Sequence, residues 1–95
     1  MLDAADRQLM LEAVGGALHT VDGTELFCLL KGRGIAPDEF GRGMVERQDL
    51  TYAAGDTEPR STRNKVVVES LTWEIVEVQQ PASGLITWKL ERDVG

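Results

Sequence analysis

The clearest β-strand pattern in this chain is Asn64-Lys-Val-Val-Val-Glu-Ser-Leu-Thr-Trp-Glu-Ile-Val-Glu-Val-Gln-Gln-Pro-Ala-Ser-Gly-Leu-Ile-Thr-Trp-Lys-Leu-Glu91. It contains a short β-rich run, a two-residue turn, a longer run, a loop with proline and glycine, and a closing run. In the closing run, Ile86, Trp88 and Leu90 alternate with polar residues, which is the period of a strand with one buried face. We therefore predict an antiparallel meander that closes a small barrel or sandwich.

The longer run needs one irregularity to keep its apolar residues inside. Leu71, Trp73 and Ile75 share one face of a regular strand, whereas Val76 and Val78 lie on the other face. A β-bulge near Ile75-Val76 would reconcile the two halves, because it inserts one extra residue into a strand. We expect Trp73 and Trp88 to meet across the core, each burying ~150–250 Å².

The first 16 residues predict a short helix before the β region. Asp3 can cap its start, and Gly15-Gly16 provides a stop. A helix of about three turns is marginal by itself, so it must pack against the rest of the chain. The apolar residues expected on its packing stripe are Leu2, Leu9, Met10 and Val14.

A first hairpin is predicted around Asp22-Gly23, which separates two β-rich runs. Both turn residues tolerate a positive φ, as two-residue hairpin turns require. A further strand is expected over residues 44–52, with Val45 and Leu50 buried. Together with the closing meander, these elements predict a mainly β fold with a short N-terminal helix.

Two segments have the composition of long flexible loops, at about residues 31–43 and 53–64. The first holds four glycines and a proline, and the second is polar and rich in turn formers. Such segments are usually functional or become ordered only on binding. The candidate protein-interface residues are Arg33, Phe40 and Arg42 in the first loop and Arg60 and Arg63 in the second.

Length and composition indicate one domain over residues 1–95, with the helix in 1–16 and the barrel in 17–91. Apolar residues make up 42% of the chain and charged residues 27%, as in an ordinary soluble protein. No apolar run approaches the roughly 20 residues of a membrane span, and we expect no signal peptide. The single cysteine, Cys28, excludes an internal disulfide and favours a reducing compartment.

Charge argues against nucleic acid as the main partner, because the net charge is −6 and phosphate binding requires a basic surface. The charge is unevenly distributed. Residues 31–65 contain seven basic and six acidic residues, whereas the remainder contains three basic and ten acidic ones. Arginine is enriched at protein interfaces. The alternative is that these arginines are simply solvated loop charges.

The residues that carry chemistry are sparse, and we predict no catalytic residue, metal ion or cofactor. Gly32-x-Gly34 and Gly41-x-Gly43 do not continue into a phosphate-binding motif. His19 is the only histidine, so a metal site is not favoured. Cys28 lies in an apolar run and is interpreted as a small hydrophobic residue. A stacking role for the tryptophans in binding bases or sugars is not favoured, because the acidic neighbours Glu74 and Glu77 would repel a polyanion.

Residues 44–91 resemble the small head-to-tail joining proteins (stopper or tail-attachment proteins) of lambda-like tailed bacteriophages and prophages. The resemblance lies in Val45-Glu-Arg-Gln-Asp-Leu50, a polar loop through Gly55-Asp56, and Val66-Val-Val-Glu-Ser-Leu-Thr-Trp-Glu-Ile-Val-Glu-Val78. A loop over residues 81–84 and the final Leu85-Ile-Thr-Trp-Lys-Leu-Glu91 complete it. The short N-terminal helix also suits that family.

The resemblance implies a small β-barrel with extended loops that assembles as a ring at the neck of the virion. Such a protein joins the DNA-filled head to the tail and helps retain the genome. Its expected partners are the portal or head-completion protein, the tail-terminator protein and further copies of itself. Neither a membrane nor sequence-specific binding of nucleic acid is implied. Its expected location is the virion, and the host cytoplasm during assembly.

The alternative function is a small intracellular β-barrel adaptor that binds a protein or peptide. A joining protein is expected to be monomeric alone and to form rings on its platform, whereas an adaptor binds a linear peptide without forming rings. An enzyme is the least favoured class, because it needs a pocket with converging polar groups.

Overall fold

The computed structural model describes residues 4–38, 40–41, 43–57, 60–80 and 84–94, with only the backbone described for residues 4–8. The elements are α1 (Ala4–Ala13), β1 (Ala17–Val21), β2 (Thr24–Pro37), β3 (Met44–Ala53), β4 (Lys65–Val68), β5 (Leu71–Gln79) and β6 (Leu85–Asp93). The strands form a closed antiparallel barrel in the order β1-β2-β3-β6-β5-β4. The predicted mainly β fold with a short N-terminal helix is confirmed, and of the two architectures expected, the barrel is the one formed.

Two tight turns set the register of the hairpins. Asp22 and Gly23 have φ values of 51° and 81°, and they connect β1 to β2 as predicted. Glu69 and Ser70, with φ values of 51° and 70°, connect β4 to β5 in the same way. Two successive residues with positive φ match the right-handed twist of the flanking strands.

The predicted bulge in β5 is confirmed between Ile75 and Glu77. The extra residue is Val76, which is exposed, and Val78 returns to the interior, where it packs on the core. The bulge therefore keeps both halves of a nine-residue strand in register with β6.

The predicted loop at residues 31–43 is largely wrong, because residues 31–37 continue strand β2. They pair with β3 from Gly34 opposite Arg47 to Pro37 opposite Met44, after a bulge between Lys31 and Gly34. The glycines mark this bulge, where Gly32 has a φ of 72°, and not a break in the strand. The connection is thus reduced to residues 38–43. The second predicted loop agrees better, since residues 54–57 and 60–64 lie outside any strand.

The barrel interior is filled by side chains from all six strands. Trp73 and Trp88 are both fully buried, and the expected burial of Val45 and Leu50 is confirmed. Trp88 meets the ring of Tyr52 edge-on, with centroids 4.8 Å apart, and the predicted contact between the two tryptophan rings is not found among the described residues. The buried cluster consists of Val21, Leu26, Cys28, Leu50, Tyr52, Val66, Val68, Trp73, Ile75, Trp88 and Leu90.

The helix packs through a different residue from those predicted. Leu11 is buried, whereas Leu9, Met10 and Val14 are exposed and Leu2 lies outside the described residues. The reason is the sharp return of the chain at the helix end, where Gly16 N–H donates to Leu11 O at 2.7 Å. A Cβ on Gly16 would lie 2.8 Å from that oxygen, so only glycine allows the approach. Among the described residues, no helix is both long enough and apolar enough to cross a membrane.

Candidate functional site

Arg33, the first candidate interface residue, belongs to a charge cluster over Trp73. Its Nε donates to Oε2 of Glu46 at 2.7 Å, and Arg92 Nε donates to Oε1 of the same carboxylate at 2.7 Å. The two guanidinium carbons lie 5.8 Å and 5.4 Å from the Trp73 ring centroid, within cation–π range. We call Arg33, Glu46 and Arg92 the Trp73 cap. Arg33 is therefore committed in part to its own barrel.

Glu46 is only 7% exposed, and its charge is held in place by its partners. The hydrogen bond from Arg33 lowers the pKa of this carboxyl, against the opposing effect of desolvation, and the bond from Arg92 lowers it further. The same contact raises the pKa of Arg33. The carboxylate is thus ionised at neutral pH, as a buried acid with two charged donors should be.

Arg60 takes a corresponding position over Trp88. Its guanidinium carbon lies 5.8 Å from the Trp88 ring centroid, Nη1 donates to Lys65 O at 3.1 Å, and Nη2 donates to Asp22 Oδ2. We call Arg60 and Asp22 the Trp88 cap. Unlike the first cap, it is built by a turn residue and by a residue of the long β3–β4 connection.

The Trp88 cap also completes the contact between β1 and β4, which share only the register pair Val21 and Val68. Asp22 N–H donates to Val67 O at 2.7 Å, and Asp22 Oδ1 accepts from Val67 N–H at 2.8 Å. One backbone bond and one side-chain bond of Asp22 therefore extend the short β1–β4 ladder beyond its single register pair. They satisfy both backbone groups of Val67, which would otherwise be free to pair with another chain.

Two of the predicted interface residues come together on the outer face of the barrel. Phe40, which is 77% exposed, and Arg63 line one groove of about 430 Å³ that passes over Val76. Arg63 N–H donates to Ile75 O at 2.6 Å, so the β3–β4 connection is anchored beside the bulge of β5. Arg42 lies outside the described residues.

Charges on the adjoining face of β3 and β6 are already paired. Arg47 Nε donates to Glu91 Oε2 at 3.0 Å, and Lys89 Nζ donates to Asp49 Oδ2 at 3.3 Å. Each pair joins two residues that are directly opposite in the β3–β6 register, which is where such contacts are expected.

A surface that sequence reasoning missed lies on the segment we call the β2–β3 arm, residues 31–38 and 43–47. Beyond Cys28, β2 has no strand on its other edge among the described residues and pairs with β3 alone. Two large apolar side chains are exposed on the arm, Ile35 at 61% and Met44 at 41%, close in sequence to Phe40 in its connection. The assignment of this segment to a loop hid the pairing that brings them together.

A second surface that was missed is an acidic groove of about 650 Å³ between α1, the β1–β2 hairpin and the start of the β3–β4 connection. Three separate segments contribute to it, so local sequence patterns could not indicate it. Leu18, its exposed apolar member, is 60% exposed. The lining residues are Glu12, Leu18, Glu25, Leu26, Phe27 and Asp56.

The remaining reactive groups are engaged or buried. His19 Nδ1 lies 2.5 Å from Glu69 Oε1. Burial, with a smaller contribution from Glu69, raises the pKa of the Cys28 thiol to about 12, so the thiolate is scarce at neutral pH. Within the part of the chain that the structure describes, no group of three or more His, Cys, Asp or Glu residues could hold a metal ion.

No protein-family model matches this chain, and no curated protein matches its sequence.

Proposed function

We propose that this protein is a structural subunit that joins the DNA-filled head of a tailed bacteriophage to the tail. It assembles as a ring at the neck and helps retain the genome. The observation that carries the proposal is the division of the chain between a barrel packed solid with side chains and exposed apolar side chains outside it. A barrel of this kind is a scaffold, and the exposed apolar residues have the properties of contact residues.

The overall shape supports the role of a ring subunit. The chain extends over 42 × 25 × 23 Å, so it is clearly longer in one direction. Its two longest strands, β2 and β3, have 14 and 10 residues and pair with each other. An elongated subunit can contact neighbours within a ring as well as components above and below it. The partners proposed are the portal or head-completion protein on one side and the tail-terminator protein on the other.

The charge of the chain supports a ring through which DNA passes. The net charge is −6, and the acidic surplus lies outside residues 31–65. A lumen lined by carboxylates would repel the phosphate backbone and would not retard DNA during ejection. The subunit is proposed to act in the virion, without sequence-specific binding of nucleic acid and without a catalytic role.

The test is electron microscopy of lysates from a source phage in which this reading frame is deleted. We expect filled heads and complete tails that remain unjoined, and joining should be restored when the purified protein is added. Intact, infectious particles in the deletion lysate would overturn the proposal. Protein that has been unfolded by heat before it is added is the negative control.

The second candidate is a small intracellular adaptor that binds a peptide. The groove between Phe40 and Arg63 favours it, because an exposed aromatic and a guanidinium beside a strand bulge can hold a short extended segment. Its signature would be peptide binding by the monomer, abolished by Phe40→Ala, in a protein that never forms rings. Ring formation on isolated portal assemblies would exclude the adaptor as the main function.

A further inference from the structure

We propose that copies of this chain associate head to tail, with the β2–β3 arm of one copy lying in the acidic groove of the next. This inference rests on the proposed ring, and it names the two surfaces that form the contact between subunits. The arm contributes apolar and basic side chains, and the groove contributes an apolar floor with acidic residues around it.

The arm has the composition of one half of an interface. Ile35 and Met44 are both exposed at nearby positions of the paired strands, and clustered exposed apolar side chains are typical of contact surfaces. Both acidic residues of the described arm, Asp38 and Glu46, are buried. The charges that remain at its surface are therefore basic, and they include Lys31 and Arg33, whose side chain is 53% exposed despite its contact with Glu46.

The groove has the complementary composition. Leu18 and Phe27 supply its apolar surface, since Leu26 is buried in the barrel core, and its charged residues, Glu12, Glu25 and Asp56, are all acidic. The basic arm and the acidic groove thus carry opposite charges, and both also present apolar side chains. Complementary charges of this kind guide association and set orientation more than they add affinity.

The arm that fills the groove must come from another copy. Glu25 lies near the start of β2 and Ile35 near its end, ten positions further along the same strand. At ~3.3 Å per residue the two are roughly 30 Å apart, so the arm cannot turn back into the groove of its own barrel. Because arm and groove are different surfaces, the contact is heterologous, and repeating it produces a closed ring when the rotation between copies permits.

The contact is tested with single cysteines on the two surfaces. Cys28 is fully buried, with its pKa raised to about 12, so it does not interfere at neutral pH. Ile35→Cys protein is mixed with Leu18→Cys protein at high concentration, without and with isolated portal assemblies on which rings are expected to form, and is treated with a short bifunctional maleimide. Thr72→Cys, at an exposed position of β5 outside both surfaces, replaces either partner as the matched control. Far-UV circular dichroism confirms that each variant is folded.

We expect cross-linked dimers from the Ile35→Cys and Leu18→Cys mixture, little product from either alone, and a ladder of oligomers from the double variant. Yield no higher than with Thr72→Cys would overturn the inference. So would predominant cross-linking of Ile35→Cys protein to itself, because that result indicates a two-fold contact between arms.

Charge reversal provides a second readout. Glu25→Arg in the Leu18→Cys protein should lower the yield roughly threefold, the effect of one exposed ion pair. Lys31→Glu in the Ile35→Cys partner should restore it. A yield that is unchanged by the first reversal, or that the second fails to restore, argues against the contact.

The outcomes separate this inference from the proposed function. If the wild-type protein restores head–tail joining but the mixed cysteines do not cross-link, the subunit contact is wrong and the joining function stands. If the cross-links form but the deletion phage remains infectious, the contact stands and the joining function is wrong.

Discussion

The two buried tryptophans are covered by arginines in different ways. Trp73 lies beneath Arg33 and Arg92, both held by Glu46, and all three cap residues belong to barrel strands. Trp88 lies beneath Arg60, which comes from the β3–β4 connection and is held by Asp22 in a turn. The first cap forms when the strands pair, whereas the second also requires a long connection to dock. Segments with few strand contacts open most easily, so we expect the Trp88 cap to be the weaker point.

The largest effect is expected from removing the tryptophans themselves. Trp73→Ala and Trp88→Ala should each lower the free energy of unfolding by about 3–5 kcal/mol. Trp88→Ala should cost more, because it also removes the edge contact with Tyr52, which contributes about 0.5–1.5 kcal/mol. Urea unfolding followed by circular dichroism measures both. Phe40→Ala, at a highly exposed position, is the control and should change stability by no more than about 0.5 kcal/mol. A larger loss of unfolding free energy for Trp73→Ala than for Trp88→Ala would contradict this expectation.

Asp22→Ala tests the connection that forms the Trp88 cap. It deprives Arg60 and the Val67 N–H of their carboxylate, and we expect a loss of about 1–3 kcal/mol in urea unfolding. Asp22→Asn should cost less, since asparagine keeps an acceptor for Val67 N–H and tolerates the φ of 51°. Equal losses for the two variants would show that the carbonyl acceptor and the turn geometry are unimportant, leaving only the charge.

Glu46→Gln tests the Trp73 cap through the pH dependence of stability. The pKa of Glu46 is lower in the folded chain than in the unfolded one, so its ionisation stabilises the fold. This contribution is fully present above the unfolded pKa of about 4.3 and is lost as the pH falls through the lower, folded value. Wild type should therefore exceed Glu46→Gln in stability at pH 7, with the difference shrinking toward pH 3.

The matched control is Asp49→Asn, which removes a carboxylate from the exposed pair with Lys89 on the same strand as Glu46. Exposed pairs contribute little, so its stability should follow wild type closely across the same range. A difference between wild type and Glu46→Gln that does not vary with pH would mean that the Trp73 cap acts by packing alone.

The smallest effect concerns Cys28, whose labelling reports opening of the barrel. Burial raises the pKa of this thiol to about 12, so labelling at pH 7–8 requires the core to open. We expect very slow labelling in wild type, and in Asp22→Ala an acceleration beyond that explained by its loss of global stability. If the labelling rates of both Asp22→Ala and Glu46→Gln are explained by their loss of global stability alone, then the Trp88 cap does not open more easily than the Trp73 cap.

Strand and turn positions were predicted from sequence where local chemistry decides them. Asp22-Gly23 predicts a hairpin because both residues accept positive φ. Val76 and Val78 predict a bulge near Ile75, because in a regular strand they would lie on the opposite face from Trp73 and Ile75. The helix stripe was wrong because a ten-residue helix is positioned by the turn that follows it, here at Gly16. Residues 31–37 were misassigned because glycine composition cannot distinguish a loop from a bulged strand.

The interface role of the candidate residues stays a prediction, but the structure shows where four of them lie. Phe40 and Arg63 do line one groove, whereas Arg33 and Arg60 cover buried tryptophans in addition to any role at the surface. The acidic groove and the apolar side chains of the arm could not be recognised, because each unites residues from separate segments.

Local sequence is sufficient to predict the fold class, the tight turn at Asp22-Gly23, the bulge of β5 and the acidic net charge, because each depends on neighbouring residues or on simple counts. The folded barrel is needed to show that two arginines hold Glu46 and that Arg60 reaches Asp22, 38 positions away. Such contacts depend on strand order and stagger, which the closure of the whole barrel sets and no local pattern encodes.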